Sequence, residues 1–204
     1  MQKQGILLVV CGPSGVGKGT VCKELLKHKP EIKLSISATT REKRKGEVDG
    51  VNYYFLKREV FEDMISKDGF LEYAEVYDNL YGTPKKYVLE QINKGNDVLL
   101  EIDIQGAKQI KQKYPDGTFI FLLPPSMKEL RKRIINRGTD SKESIKKRLK
   151  CAYEEIDFIK DYDYYIINDK LDNAVNKLIS IIEAEKCRVD DNIYELIKKY
   201  KEEV

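Results

Sequence analysis

The nine residues Gly12-Pro13-Ser14-Gly15-Val16-Gly17-Lys18-Gly19-Thr20 limit what this chain can fold into more than any other part of it. They follow the apolar run Ile6–Val10 and precede a stretch carrying Val21, Leu25 and Leu26 at helical spacing, so they read as the loop of a strand–loop–helix unit. Glycines let such a loop turn tightly, which aims successive backbone N–H groups inward at phosphate oxygens. The helix that follows adds the positive end of its dipole. Lys18 supplies a mobile charge for the β- and γ-phosphates of a nucleotide. The alternative, a plain glycine-rich turn with Lys18 merely solvated, fits the context and spacing less well. Gly12 to Thr20 are therefore the candidate residues for nucleotide phosphates. One position departs from the usual pattern: Gly19 follows the lysine, and the hydroxyl comes one place later, at Thr20. No side chain directly after Lys18 can ligate Mg²⁺, so the metal is expected to be held mainly by phosphates and waters, with no protein ligand assigned.

Further along, continuous apolar runs (Val98–Ile102, Thr118–Leu123, Tyr164–Ile167) alternate with helical stretches. The helical stretches are Lys18–His28, Gln105–Lys113, Met127–Asn136, Ser141–Lys160, Leu171–Lys186 and Asp190–Lys201. Buried-type strands alternating with helices predict an α/β fold with a parallel central sheet. Between about residues 35 and 95 the chain changes character, with short Tyr-rich strand candidates (Tyr53–Leu56, Leu71–Val76) and turns at Asp49-Gly50 and Asp68-Gly69. This reads as a small mixed insertion on the parallel core. With 37 Lys+Arg against 34 Asp+Glu, the chain lacks the basic excess of a dedicated nucleic-acid binder. No apolar run approaches the ~18 residues of a membrane span, and no signal-peptide pattern opens the chain. Cys11, Cys22, Cys151 and Cys187 form no C-x-x-C pair, and His28 is the single histidine. Packing cysteines in a reducing, cytoplasmic compartment are the expectation.

Two further clusters carry chemistry. Ser37-Ala38-Thr39-Thr40-Arg41, with Arg44, Gly46-Glu47 and Tyr53, sets two planar guanidinium forks among hydroxyl residues. Such forks grip a phosphate bidentately, although a pair of this kind is as often an ordinary basic surface spot. Phe70-Leu71-Glu72-Tyr73-Ala74-Glu75 and Asn79-Leu80-Tyr81-Gly82-Thr83-Pro84 place Glu72 and Tyr81 in apolar and aromatic surroundings. In isolation Glu72 reads as an exposed strand carboxylate. Glu101 and Asp103, two apart at the end of a strand, point to one face at the carboxyl end of the sheet, where ligands bind in open α/β folds. Orienting an arginine, contacting a base and holding a metal-bound water all remain open for Asp103. From Lys128 to Lys150, ten basic residues face three acidic ones, mostly as a solvated helix face. Within that stretch Arg133 and Arg137 share one helix face, Gly138-Thr139 breaks the helix as a plausible hinge, and Arg148 returns on the next one.

Together these blocks resemble guanylate kinases. G-P-S-G-V-G-K-G-T is similar to that family's ATP loop, and K-G-T occurs in some nucleoside monophosphate kinases. S-A-T-T-R-E-K-R-K-G-E and F-L-E-Y-A-E-V with Y-G-T-P resemble its GMP signature. L-L-E-I-D-I-Q-G-A and N-R-G-T-D-S resemble two further blocks, in unbroken order over about residues 5–170. The family more often has Asp where Glu101 stands. The resemblance implies transfer of the γ-phosphoryl of ATP to GMP, giving ADP and GDP, with Mg²⁺. It also implies a core (1–34, 97–125, 150–204), a GMP-binding lobe (35–96) and a helical lid (126–149) within one P-loop-type domain. By resemblance, Arg41, Arg44, Tyr53 and Tyr81 would hold the GMP phosphate. An ionised Glu72 would accept from guanine N1–H and N2, with Ser37 and Thr83 offering hydroxyls and Asp103 nearby. Arg133, Arg137 and Arg148 would close on the ATP phosphates, and Asn168 would lie near the adenine. Small-molecule substrates are then the partners, with neither nucleic acid nor membrane. The competing readings are a guanylate-kinase-like module that binds phosphopeptides without catalysis, and a kinase for another nucleotide. Intact glycines and Lys18 speak against the first, and Glu72 with Ser37 and Thr83 against the second.

Overall fold

Alternation along one fully buried strand, β1 (Leu7–Cys11), decides how the molecule is layered. Leu8 and Val10 enter one apolar cluster, and Leu7, Val9 and Cys11 the other, because successive side chains of a strand point to opposite faces. The computed structural model describes residues 4–76, 78–136, 142–189 and 193–203. In it β1 is the middle strand of a parallel sheet ordered β2 (Lys33–Leu34), β7 (Val98–Glu101), β1, β8 (Thr118–Leu123), β9 (Tyr164–Ile167). One face is covered by α1 (Lys18–His28) through Val21, Cys22 and Leu25, and by α7 (Leu171–Lys186) through Ala174, Val175, Leu178 and Ile182. The other is covered by α3 (Lys85–Asn93) through Val88 and by α4 (Ile104–Lys113) through Ala107 and Ile110. This is the layered α/β core that the apolar runs predicted. The chain leaves β1 for β2 on one side, while β8 lies on the other. The carboxyl end of β1 is therefore a topological switch point, where a crevice opens.

A second sheet, β4 (Tyr54–Phe55), β3 (Ala38–Thr39), β6 (Asn79–Pro84), β5 (Phe70–Val76), stands beyond that crevice. β3 runs parallel to β4 and antiparallel to β6, so the insertion is mixed, as expected. Its small core is Ala38, Phe61, Phe70 and Leu80, with Phe61 of α2 (Arg58–Ser66) stacked on Phe70 at 4.3 Å between centroids. A third unit pairs α5 (Met127–Asn136) with α6 (Lys142–Ile156) through Leu130, Ile134 and Ala152.

The structure differs from the sequence reading in several places; strands β2, β3 and β6 were not foreseen. The helix expected over Ser141–Lys160 stops at Ile156 and tightens into a 3₁₀ turn, Asp157–Asp161. That turn brings Ile159 and Tyr162 down onto the α4-side cluster, where the Tyr162 ring meets Phe121 edge-on at 4.9 Å. Helices α2 and α3 were not foreseen. Each buries a single residue fully, Phe61 and Val88, too few to write a helical period into the sequence. Arg137 and the Gly138-Thr139 hinge lie outside the described residues. The chain's last described helix is α8 (Ile193–Glu202). Among the described residues no helix is long and apolar enough to cross a membrane.

Candidate active site

The glycine-rich segment is the connection from β1 to α1, at the switch point. Gly12 has φ 143°, and a Cβ there would stand 2.4 Å from the Leu122 carbonyl oxygen, so only glycine lets the loop leave β1 flush against β8. Lys18 Nζ reaches back across the loop to donate to the Gly12 carbonyl at 2.6 Å. The outer arc is braced at the Val16 carbonyl, which accepts from Asn168 Nδ2 at 2.8 Å and from Arg133 Nη1 at 3.1 Å. Arg133 Nη2 also donates to the Asn168 carbonyl at 3.0 Å, and its Nε to Glu129 at 3.4 Å. Arg133, expected on the ATP phosphates, is thus tied to the loop and to the end of β9. Asn168, expected near the adenine, is buried beneath the same arc. Burial pushes the Cys11 thiol up to about 11 and raises that of Cys22 as well, so neither is a thiolate at neutral pH. All four cysteines are free.

Glu101 ends β7 beside α1. A Cβ at position 19 would stand 3.3 Å from both of its carboxylate oxygens. A side chain after the lysine would therefore press on the Glu101 carboxylate, which would have to give by a few tenths of an ångström.

Across the crevice, Arg41, Tyr53 and Tyr81 meet at the end of the second sheet. The Tyr53 and Tyr81 rings pack edge-on at 5.9 Å, and the Arg41 guanidinium lies 5.6 Å from the Tyr53 centroid. Glu47 organises the group: its carboxylate takes Arg41 Nη2 at 2.8 and 3.1 Å and the Arg44 backbone N–H at 2.8 Å. This pairing raises the pKa of Arg41 and lowers that of Glu47. Glu47 stood in the sequence cluster without a role; its spacing from Arg41 carries no helical or strand signature that would have paired them. Burial, followed by the charge of Glu101, raises the Tyr53 phenol, so the lobe's phosphate-type cluster feels the acid at the end of β7.

Glu72 on β5 is 4% exposed, against the reading of an exposed strand carboxylate. Its Oε1 accepts from the Thr83 hydroxyl at 2.6 Å. Its Oε2 lies where a Cβ on Gly106 would come within 2.5 Å, so glycine in the first turn of α4 leaves the carboxylate its place. Asp103 caps that helix, its Oδ1 accepting from the Gly106 N–H at 2.8 Å. Burial drives the Glu72 pKa up to about 7; the Thr83 hydroxyl opposes this, and the Asp103 charge adds to it. The carboxyl is therefore harder to ionise in the nucleotide-free protein than an ordinary carboxylate. Ser37 lies just before β3, its carbonyl accepting from the Tyr54 N–H at 2.9 Å. Arg44 sits beside Glu47 at the rim, and Arg148 is on α6.

The arrangement is thus a phosphate loop on one side of a crevice and, on the other, an arginine–tyrosine cluster above a buried carboxylate–hydroxyl pair. A model of the family described as Guanylate kinase matches residues 4–185. The curated guanylate kinase of Caldanaerobacter subterraneus subsp. tengcongensis is 58% identical over 203 residues, covering 100% of this chain and 98% of that protein. That of Clostridioides difficile is 58% identical, covering 99% of this chain and 98% of the relative. A crystal structure of guanylate kinase from Anaplasma phagocytophilum superposes with a TM-score of 0.81 at 35% identity, covering 98% of this chain and 96% of that one. The loop, the crevice and the two polar clusters thus stand where sequence and fold both converge on one set of relatives, and the chain belongs to the guanylate kinase family.

Proposed function

We propose that this chain transfers the γ-phosphoryl group of ATP to GMP, giving ADP and GDP, in the cytoplasm, with the two nucleotides as its partners. The observation that carries this reading is the buried Glu72–Thr83 pair beside Gly106 and its Asp103 cap, in one chain with the Lys18-bearing glycine loop at the end of β1. Gly12 to Thr20 would cradle the ATP phosphates, Lys18 leaving the Gly12 carbonyl for them. Asn168 and Arg133 would hold the loop in shape, and Arg148 and Arg137 would approach the phosphates from the lid. Arg41, Arg44, Tyr53 and Tyr81 would bind the GMP phosphate, Arg41 exchanging Glu47 for the new anion. Glu72 would accept from guanine N1–H and N2, with Thr83 and Ser37 on neighbouring base atoms. Adenine offers a bare N1 acceptor at that edge and would leave the carboxylate without a partner.

Charge spreads over the transferred group's oxygens in the transition state, so catalysis is positioning plus cationic stabilisation, and no covalent nucleophile is needed. The donor set suits Mg²⁺, since Glu101 sets hard carboxylate oxygens beside the first turn of α1. Phosphates and waters would be its ligands, Glu101 would orient the water shell, and the ion would neutralise phosphate charge. The working parts are a core (1–34, 97–125, 150–204), a GMP lobe (35–96) and a lid (126–149).

A coupled assay of ADP release with GMP, AMP and UMP tests the reading. Turnover with GMP alone is expected, and Lys18→Ala should lower kcat by on the order of 10²–10³ with an unchanged circular dichroism spectrum. Binding of GMP without turnover, or equal turnover with AMP, overturns it.

A further inference from the structure

β5 is the outer strand of the second sheet, and its ladder to β6 is interrupted where Glu72 sits. Phe70 pairs with Pro84 and Tyr73 with Gly82, so Leu71 and Glu72 together stand against the single residue Thr83. Such a bulge re-aims a side chain but leaves the strand locally short of ladder bonds. At this point the outer edge of β5 is held by α4 instead. Gln109 Nε2 donates to the Tyr73 carbonyl at 2.7 Å, and the Tyr73 N–H donates back to Gln109 Oε1 at 3.3 Å. Lys113 Nζ donates to the Leu71 carbonyl at 3.0 Å. Gly106, Gln109 and Lys113 follow one another on α4 at intervals of three and four residues, along one helix face. Gly106 leaves the Glu72 carboxylate its room, and the other two bind the backbone on either side of it. The Leu71 side chain joins the core cluster that contains Ile104, Ala107 and Ile110, not the lobe's own. The bulge that carries Glu72 is therefore built onto the core helix.

A glutamine amide offers one acceptor and a pair of donors at fixed spacing, and here it takes the place of a neighbouring strand. What it holds is specific. The Leu71 carbonyl belongs to the peptide unit before Glu72, and the Tyr73 N–H to the unit after it. Peptide units are planar, so fixing both leaves the Glu72 backbone little freedom to turn. We infer that Gln109, with Lys113, is a positioning residue for Glu72, holding its carboxylate at the height and angle at which it meets the edge of guanine. This rests on the reading of Glu72 as the acceptor for guanine N1–H and N2 argued above. A carboxylate that accepts from two neighbouring donors at once tolerates little displacement, because both bonds depend on one orientation. Releasing the amide frees the peptide unit after Glu72, and the loss falls on GMP and not on ATP.

Steady-state kinetics in both substrates, for the full-chain wild type, Gln109→Met, Glu72→Gln and the double variant, test this. Methionine is close to glutamine in length and volume and lacks the amide. KM for GMP should rise about three- to tenfold in Gln109→Met, while KM for ATP stays within about twofold. In the Glu72→Gln background the same substitution should change KM for GMP by less than about twofold, because Gln109 acts through the carboxylate. If thermal melting shows that Gln109→Met does not fold, Gln109→Asn replaces it with the same expectations, since an amide one methylene shorter is drawn away from Tyr73. An unchanged KM for GMP in a folded variant overturns the inference while leaving the function intact. A lower melting temperature with equal losses in both substrates marks a merely structural residue and overturns it equally. So does an effect of Gln109→Met that is just as large without the Glu72 carboxylate. A wild type that does not use GMP, or a Glu72→Gln variant that uses it as well as wild type, overturns both.

Discussion

Glu72 shows how far one residue's chemistry depends on its surroundings. On β5 its neighbours in sequence are Leu71 and Tyr73, and nothing there distinguishes a solvent-facing acid from a buried one. Burial raises its pKa from 4.5 to about 7, against the opposing hydrogen bond from Thr83. Two guanine N–H donors would favour the ionised form, so GMP binding should release a proton from this group. The sign follows: affinity for GMP rises as pH increases through about 7 and weakens below it, where the protonated carboxyl must first ionise. The phosphate of GMP also titrates, near pH 6. That contribution is common to wild type and Glu72→Gln, so the difference between their calorimetric pH profiles isolates Glu72. The variant should lose the slope around pH 7 and about ten- to a hundredfold in kcat/KM for GMP, the cost of charge-assisted bonds. Matching profiles for the two proteins would show that Glu72 does not read guanine. Arg41 makes the complementary point. Its fork was legible as a candidate phosphate ligand, but its pairing with Glu47, six residues on, was not, because side-chain reach across an irregular segment has no sequence period.

At the scale of elements, the N-terminus of α4 shapes the surroundings of Glu72. That terminus is fixed by the Asp103 cap, and the first turn makes room for Glu72 at Gly106. Gly106→Ala removes a flexible residue from a helix, worth about 1 kcal/mol in its favour. It also sets a Cβ 2.5 Å from Glu72 Oε2, an overlap that the buried carboxylate must relieve by moving. Overpacking of this kind costs about 1–3 kcal/mol, so urea unfolding should show a neutral to modestly destabilised protein. The larger effect falls on KM for GMP, expected to rise at least severalfold, with KM for ATP unchanged. Steady-state kinetics in both substrates decide it, and an unaltered KM for GMP would detach Gly106 from the base site. Four of the five strands of the parallel sheet and helices α1, α5 and α7 were legible, most of them because they carry several buried apolar residues at one period; β2, only two half-buried residues long, was not. The lobe helices were not, since α2 and α3 each bury one residue fully and present charge elsewhere.

At the scale of the whole molecule, the nucleotide-free protein satisfies its own binding groups. Lys18 is on the Gly12 carbonyl and Arg41 on Glu47, two internal contacts that incoming phosphates would replace. Replacing them should draw the lobe and the lid toward the core, excluding water that would otherwise compete with GMP for the phosphoryl group. Small-angle scattering should record compaction on addition of a bisubstrate analogue, the radius of gyration falling toward the ~17 Å of a compact globule of this length. No change on saturation would remove lid closure from the mechanism. The sequence by itself determined the phosphate loop, the parallel α/β core and the resemblance that named the acceptor cluster, because glycine placement, strand–helix alternation and motif order are local or collinear properties. Only the tertiary structure decided that Glu72 is buried with its pKa raised, that Arg133 braces the loop and that the Glu101 carboxylate stands beside Gly19. Each of these depends on residues far apart in the chain being brought within a few ångströms, where burial and charge set the chemistry, and no spacing in the sequence encodes that distance.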